Sequence, residues 1–228
     1  MTLDELLPST EEEEKTGPVK AWTADLLTDV AVSWLRCKLP DSLIVPEFVC
    51  GYGGDARVDL AAITPDGIIG VEIKGEGDTH ARLASQGPAF IAVCSSVYFL
   101  YAPTLAKSMA KHRPKFWMPL HLDDALNFRG DIAFEGSSYV NHGLCPRQML
   151  ATLWRPELVA LARSLSIAAE KRESVVVIAE RVADLATLRG IRRGVCAALL
   201  AREWVSFAPK GQPRRLFRPV GAFPLTED

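Results

Sequence analysis

Two β-rich apolar runs dominate the hydropathy pattern of the chain. They are Arg57-Val58-Asp59-Leu60-Ala61-Ala62-Ile63-Thr64 and Ile68-Ile69-Gly70-Val71-Glu72-Ile73-Lys74. The Pro65-Asp66-Gly67 step between them predicts a hairpin with a three-residue turn. Upstream, Leu26, Leu27, Val30, Trp34 and Leu35 recur at helical spacing. A helix over Thr23–Leu39 follows, capped by Thr23, with Asp25 in its first turn and Pro40 as its stop. Leu43 to Cys50 reads as a strand made an edge or bulged strand by Pro46, with Glu47 interrupting its apolar run. Gly51-Tyr52-Gly53-Gly54 then forms a pliable loop.

After Lys74 the pattern predicts a helix from Asp78, as its cap, to about Ser95, kinked or restarted at Gly87-Pro88. Val97 to Ala102 reads as a buried strand parallel to the hairpin. Thr104–Lys111 is a short helix, and Pro114, Trp117 and Pro119 belong to a last strand or loop. Residues 121–146 lack periodicity and form a connection, and the acids Asp123, Asp124 and Asp131 in it read as solvated. From Pro146 to Trp204 the period is helical, through Leu158, Leu161, Ala162 and Leu165, then Val175, Ile178, Val182 and Leu185, then Ile191, Val195, Ala198 and Leu199. The expected fold class is therefore α/β, with an αβββαβ core over residues 21–120, the connection 121–146, and a C-terminal helical lobe over 147–205.

Charge is unevenly distributed. The formal net charge is −2, but residues 1–20 carry six acids and two bases, whereas 151–219 carry thirteen bases and six acids, about +7. The first segment reads as a flexible acidic arm and residues 206–228 as a basic tail. Arg189, Arg192, Arg193 and Arg202 fall on the remaining faces of the last helices, and Lys171-Arg172 follows the first of them. With its Leu-Trp-Arg-Pro-Glu-Leu opening, this region looks somewhat like a SAP-type DNA-binding unit. An amphipathic helical cap is the plainer alternative. Gly211-Gln212-Pro213-Arg214-Arg215-Leu216-Phe217-Arg218 could touch phosphates.

Five scattered cysteines, Cys37, Cys50, Cys94, Cys145 and Cys196, include no Cys-x-x-Cys pair, so neither zinc nor a disulfide framework is expected. A reducing, cytoplasmic setting fits. The start is acidic where a signal peptide would be basic. The most apolar stretch, Gly87 to Pro103, is too short to span a bilayer.

The candidate chemistry lies in the hairpin. Glu72 and Lys74 share one face of their strand, and hairpin pairing brings Asp59 alongside Glu72. Two adjacent carboxylates repel unless a cation lies between them, and oxygen ligands of this kind suit Mg²⁺. A surface ion pair of Lys74 with Glu72 or Asp59 is the alternative.

Asp59, Glu72 and Lys74 in this arrangement resemble the PD-(D/E)xK nuclease superfamily, with Val58 in place of the nominal Pro. The runs Gly53-Gly54-Asp55-Ala56-Arg57-Val58-Asp59 and Asp78-Thr79-His80-Ala81-Arg82-Leu83-Ala84-Ser85-Gln86 are closest to small bacterial nuclease-like proteins, the MmcB-related group among them. The resemblance covers roughly residues 22–103 and extends more loosely to about 203. It implies a restriction-endonuclease-like core and hydrolysis of DNA in repair or defence, with Mg²⁺ or Mn²⁺ as cofactor. It implies Asp59 and Glu72 as metal ligands, the Ile73 carbonyl as a further ligand, and Glu47 facing the site in a metal or water role, a plain exposed Glu being the alternative there. Lys74 and Gln86 would act at the reacting phosphate. Arg82, Arg57, Lys171, Arg172, Arg192 and Arg193 would contact substrate. Asp25 and Asp29 could reach the site from the first helix, although solvated acids are the plainer reading. His80 and His112 receive no role. A catalytically silent DNA-binding module of the same fold, or an unrelated α/β protein with an incidental Glu-Ile-Lys, are the competing readings. Oligomeric state is left open, a homodimer included.

Overall fold

The computed structural model describes residues 21–52, 54, 56–123, 125–128 and 141–204. The acidic arm, the basic tail, Gly53, Asp55, Asp124 and Asp131 lie outside the described residues.

Helix α1 (Ala24–Lys38) starts where Thr23 Oγ1 accepts the Leu26 amide at 3.2 Å. Its buried stripe is Leu27, Ala31, Trp34 and Leu35, so Leu26 and Val30 sit at the edge rather than the centre of the core face. Strands β1 (Leu43–Val49), β2 (Arg57–Thr64) and β3 (Gly67–Lys74) form an antiparallel meander. Gly67 pairs with Thr64 as part of β3, so the turn has two residues, Pro65 and Asp66, not three. Thr64 closes it. Its Oγ1 donates to the Gly67 carbonyl at 2.9 Å and accepts the Gly67 amide at 3.1 Å.

Helix α2 (Leu83–Val93) carries the chain back to β4 (Ser96–Tyr101), which pairs parallel to β3. α2 begins later than the Asp78 cap predicts, because the Asp78 carboxylate is already used to accept the Gly75 amide at 2.8 Å. Pro88 does not break it. Ala84, whose carbonyl loses a partner, stands exposed to water. A 3₁₀ turn (Pro103–Leu105) and α3 (Ala106–His112) lead to β5 (Trp117–Leu120), which completes the sheet parallel to β4. The order is β1-β2-β3-β4-β5, five strands in a mixed α/β sheet.

The sheet is covered on both faces, and its core splits accordingly. One cluster joins α1 to Ile44, Leu60, Val71, Ile73, Tyr98 and Leu100. The other joins the opposite face, through Val45, Ala61, Ile63, Phe99 and Trp117, to α2 and to all four C-terminal helices. These are α4 (Pro146–Leu150), α5 (Arg155–Ser164), α6 (Val175–Leu185) and α7 (Leu188–Ala201). They therefore form the second layer over the sheet, sharing its core rather than standing off as a lobe. Ile178, Ala179 and Val182 are the buried stripe of α6, and Leu185, expected among them, is 69% exposed. Among the described residues no helix is long and apolar enough to cross a membrane.

Candidate active site

The site forms where the meander comes apart. Along β1, Leu43 and Val45 face one cluster and Ile44 the other, yet Phe48 and Cys50 rejoin the side of Val45. On β2, Ala61 and Ile63 share that side, Leu60 and Ala62 take the other, and Val58 switches back. Both strands thus flip faces at the same level. The pairs on either side of the flip are Pro46 with Leu60 and Phe48 with Val58, which leaves Glu47 and Asp59 facing each other across the break. Glu47 absorbs the distortion with φ of 50°, a left-handed conformation that costs a side chain with a Cβ about 1 kcal/mol or more. Strain of this kind clusters at functional sites.

Asp59 is consequently turned toward β3. The β2–β3 ladder ends at Leu60 with Val71, and beyond it Asp59 Oδ2 accepts the Ile73 amide at 2.6 Å. A carboxylate thus replaces the backbone acceptor that a longer strand would supply. Burial raises the Asp59 pKa, the Ile73 amide and Lys74 lower it, and Glu47 and Asp78 add to the raising side.

Glu72 and Lys74 project from the face of β3 that carries α2. Lys74 Nζ donates to Glu72 Oε1 at 2.6 Å and to the Ile73 carbonyl at 3.3 Å. Glu72 is only 2% exposed, and its Oε2 is buried without a hydrogen-bond partner. Burial, reinforced by the nearby Asp59 charge and opposed by Lys74 and Arg82, pushes its carboxyl up to about 7. One ammonium does not compensate two enclosed carboxylates.

The remaining expected residues divide. Arg82 stands at the start of α2, and its charge is felt at Glu72. Gln86 lies half-buried between Leu83 and Phe90, on the side of α2 that faces the sheet. Arg57 Nη1 approaches Glu47 Oε2 at 3.9 Å, both groups about half exposed. Glu47 and Arg57 therefore border the site beside Asp59. Asp25 and Asp29 are exposed on α1, on the opposite face of the sheet from Glu72 and Lys74. The segment leading into α1 touches the loop after Lys74, where the Glu76 amide donates to the Trp22 carbonyl at 2.8 Å.

Arg192 and Arg193 go elsewhere. Arg193 lines a groove with Pro65, and Arg192 and Asp66 both act on the Cys196 thiol, so this pair belongs to the turn end of the hairpin. Five residues of β3 separate that end from Glu72, about 16 Å. Lys171 and Arg172 are exposed in the turn between α5 and α6, with no bond to the trio. Arg202 is not a surface cation. It grips Glu157 through Nε at 2.6 Å and Nη2 at 2.5 Å, between the rings of Trp154 and Trp204.

Two features escaped the sequence. Asp78 shapes the loop after Lys74, a role visible in hindsight from its place in a Gly-Glu-Gly-Asp turn. His80 and His112, which read as isolated, stack with ring centroids 3.6 Å apart, and His80 Nδ1 lies 3.3 Å from Ser108 Oγ. This contact pins the loop that carries Arg82 against α3.

The donors fit a hard divalent ion. The unpartnered Glu72 Oε2, the Asp59 carboxylate and the Ile73 carbonyl are oxygens, and Mg²⁺ needs only one or two carboxylates because it retains waters and takes substrate phosphate oxygens. Among the described residues no group of three or more His, Cys, Asp or Glu side chains is arranged to hold a metal. Glu47 stands close enough to the pair for its charge to be felt at Asp59. Comparison with protein-family models, with curated proteins and with solved structures finds no match.

Proposed function

We propose that this protein is a Mg²⁺-dependent deoxyribonuclease of the PD-(D/E)xK type, with a restriction-endonuclease-like core, acting in DNA repair or defence. One observation carries the reading. A buried carboxylate with an unpartnered oxygen, Glu72, stands beside a second desolvated carboxylate, Asp59, and a lysine, Lys74. A structural ion pair needs no second buried acid, and leaving an acceptor unsatisfied costs about 1 to 3 kcal/mol.

Asp59 and Glu72, with the Ile73 carbonyl, would hold the ion, which when bound lowers the pKa of water and neutralises phosphate charge. Lys74 holds the attacking water and donates to the phosphate as negative charge builds. Arg82 and Gln86 hold the scissile phosphate from the start of α2, where no side chain caps the first-turn amides. The water oxygen bonds to phosphorus, the P–O ester bond breaks, the water proton passes to solvent and the leaving oxygen takes one from solvent.

The test is DNA cleavage in Mg²⁺ or Mn²⁺ by the parent, Glu72→Gln and Lys74→Met. Loss of cleavage in both variants with a folded chain supports the reading. A parent that binds DNA and cuts none supports a silent DNA-binding module, favoured by the Lys74 ammonium already lying on Glu72 and the Ile73 carbonyl. Absence of both binding and cleavage overturns the nucleic-acid reading altogether.

A further inference from the structure

The three parallel strands end in a row. Lys74 pairs with Tyr101 between β3 and β4. Leu100 pairs with Leu120 between β4 and β5, so the next level sets Tyr101 beside His121. The rings confirm this, meeting edge to face with centroids 6.0 Å apart. Alternation puts the side chains of all three residues on the face that bears Glu72. Ligands of sheets of this kind gather at the carboxyl ends of parallel strands.

Tyr101 is a peculiar residue for that place. It is 8% exposed, packed on Phe99 with ring centroids 5.1 Å apart, yet its hydroxyl reaches solvent and has no hydrogen-bond partner among the described residues. Open to water, that hydroxyl is free to donate to or accept from a ligand. Phenylalanine would fill the same space, so packing alone leaves the oxygen unexplained. His121 is exposed beside it and has an N–H to donate in either protonation state. The Arg113 guanidinium, tethered to the Trp117 carbonyl, is close enough for its charge to be felt at the Tyr101 hydroxyl. Donors and positive charge thus extend the site away from Lys74 over two strand spacings, about 10 Å. Neighbouring phosphates of one strand lie roughly twice the 3.4 Å axial rise apart, so this reach covers about one or two phosphates.

We propose that Tyr101 and His121 form a second backbone contact, holding a phosphate about one or two nucleotides from the scissile one, so that the DNA strand crosses the carboxyl ends of β3, β4 and β5. This rests on the nuclease reading and adds to it the direction in which the substrate lies.

The test is equilibrium binding of the full chain to short DNA, duplex or single-stranded as the parent cleaves, in Ca²⁺. Each probe carries one neutral methylphosphonate, moved along the strand. The parent should lose about tenfold in affinity at the scissile position and again at one position about one or two nucleotides away. In Tyr101→Phe with His121→Ala, the second position should no longer matter, while the first still does and the melting temperature is unchanged. His121→Gln, which keeps a donor, should restore part of the second effect. A double variant that still senses the distant methylphosphonate, or a parent that never does, overturns this contact and leaves the nuclease reading standing. A parent that neither binds nor cuts DNA overturns both.

Discussion

The two ends of the β2–β3 hairpin obey opposite rules. At the turn, Thr64 satisfies the backbone locally, the register closes on Gly67, and the Ser95 amide donates to the Ile68 carbonyl at 2.7 Å. At the open end the ladder stops early, an acid fills a backbone position, Glu47 takes a left-handed conformation and Glu72 is buried with an oxygen to spare. The first end is built for stability. The second accepts strain and unmatched charge where a third party can relieve them. The turn end also buries Ser95 Oγ and Arg192 Nε without a partner, so what marks the open end as the candidate site is the coincidence of strain, a broken ladder and an enclosed acid.

This contrast is open to direct attack. The largest expected effect is on Glu72→Gln, which should lose about a thousandfold or more in cleavage, measured as single-turnover rate in Mg²⁺. A variant cutting as fast as the parent would move the chemistry elsewhere. Lys74→Met should lose about a hundredfold. The double variant Glu72→Gln with Lys74→Met replaces an enclosed charge pair by neutral groups and should melt no lower than the parent. A sharp drop in its melting temperature would make the pair a structural device.

The pH dependence comes next. The Glu72 carboxyl is raised in the fold from 4.5 to about 7, so the folded chain holds that proton more tightly than the unfolded one. Its contribution to stability is therefore complete below about pH 4.5 and lost as pH rises through 7. Asp59 acts in the same direction. The stability difference between parent and Glu72→Gln, followed by urea unfolding without metal, should move against the parent across that window. Metal affinity should rise across it, since the ion competes with the proton.

Two smaller tests separate the ends. Thr64→Val removes the turn bonds and should destabilise by about 1 to 2 kcal/mol without changing cleavage per folded molecule. Glu47→Gly relieves the left-handed strain and should gain up to about 1 kcal/mol of stability, read by urea unfolding. No gain would mean that Glu47 is held there at no cost.

Much of this was legible along the chain. The period of the apolar positions gave the strands and helices, and Thr23 caps the first helix where the pattern starts. The hairpin spacing brought Asp59 near Glu72, while the break in the ladder turned its carboxylate onto the Ile73 amide. What misled was the use of single residues. Asp78 reads as a cap but serves a loop, and Arg202 reads as a surface cation but is enclosed by Glu157 and two tryptophans.

Periodicity and capping are encoded within a few residues of one another, so the sequence by itself determined the elements, their order and the closeness of Asp59 to Glu72 along the hairpin. The tertiary structure alone decided that α4 to α7 roof the sheet, that Arg192 and Arg193 sit at the far end of the hairpin, and that Tyr101 and His121 line up with Lys74. Those outcomes depend on which faces meet across distant segments. Desolvation, which raises Glu72 and Asp59, likewise exists only once those faces have closed over them.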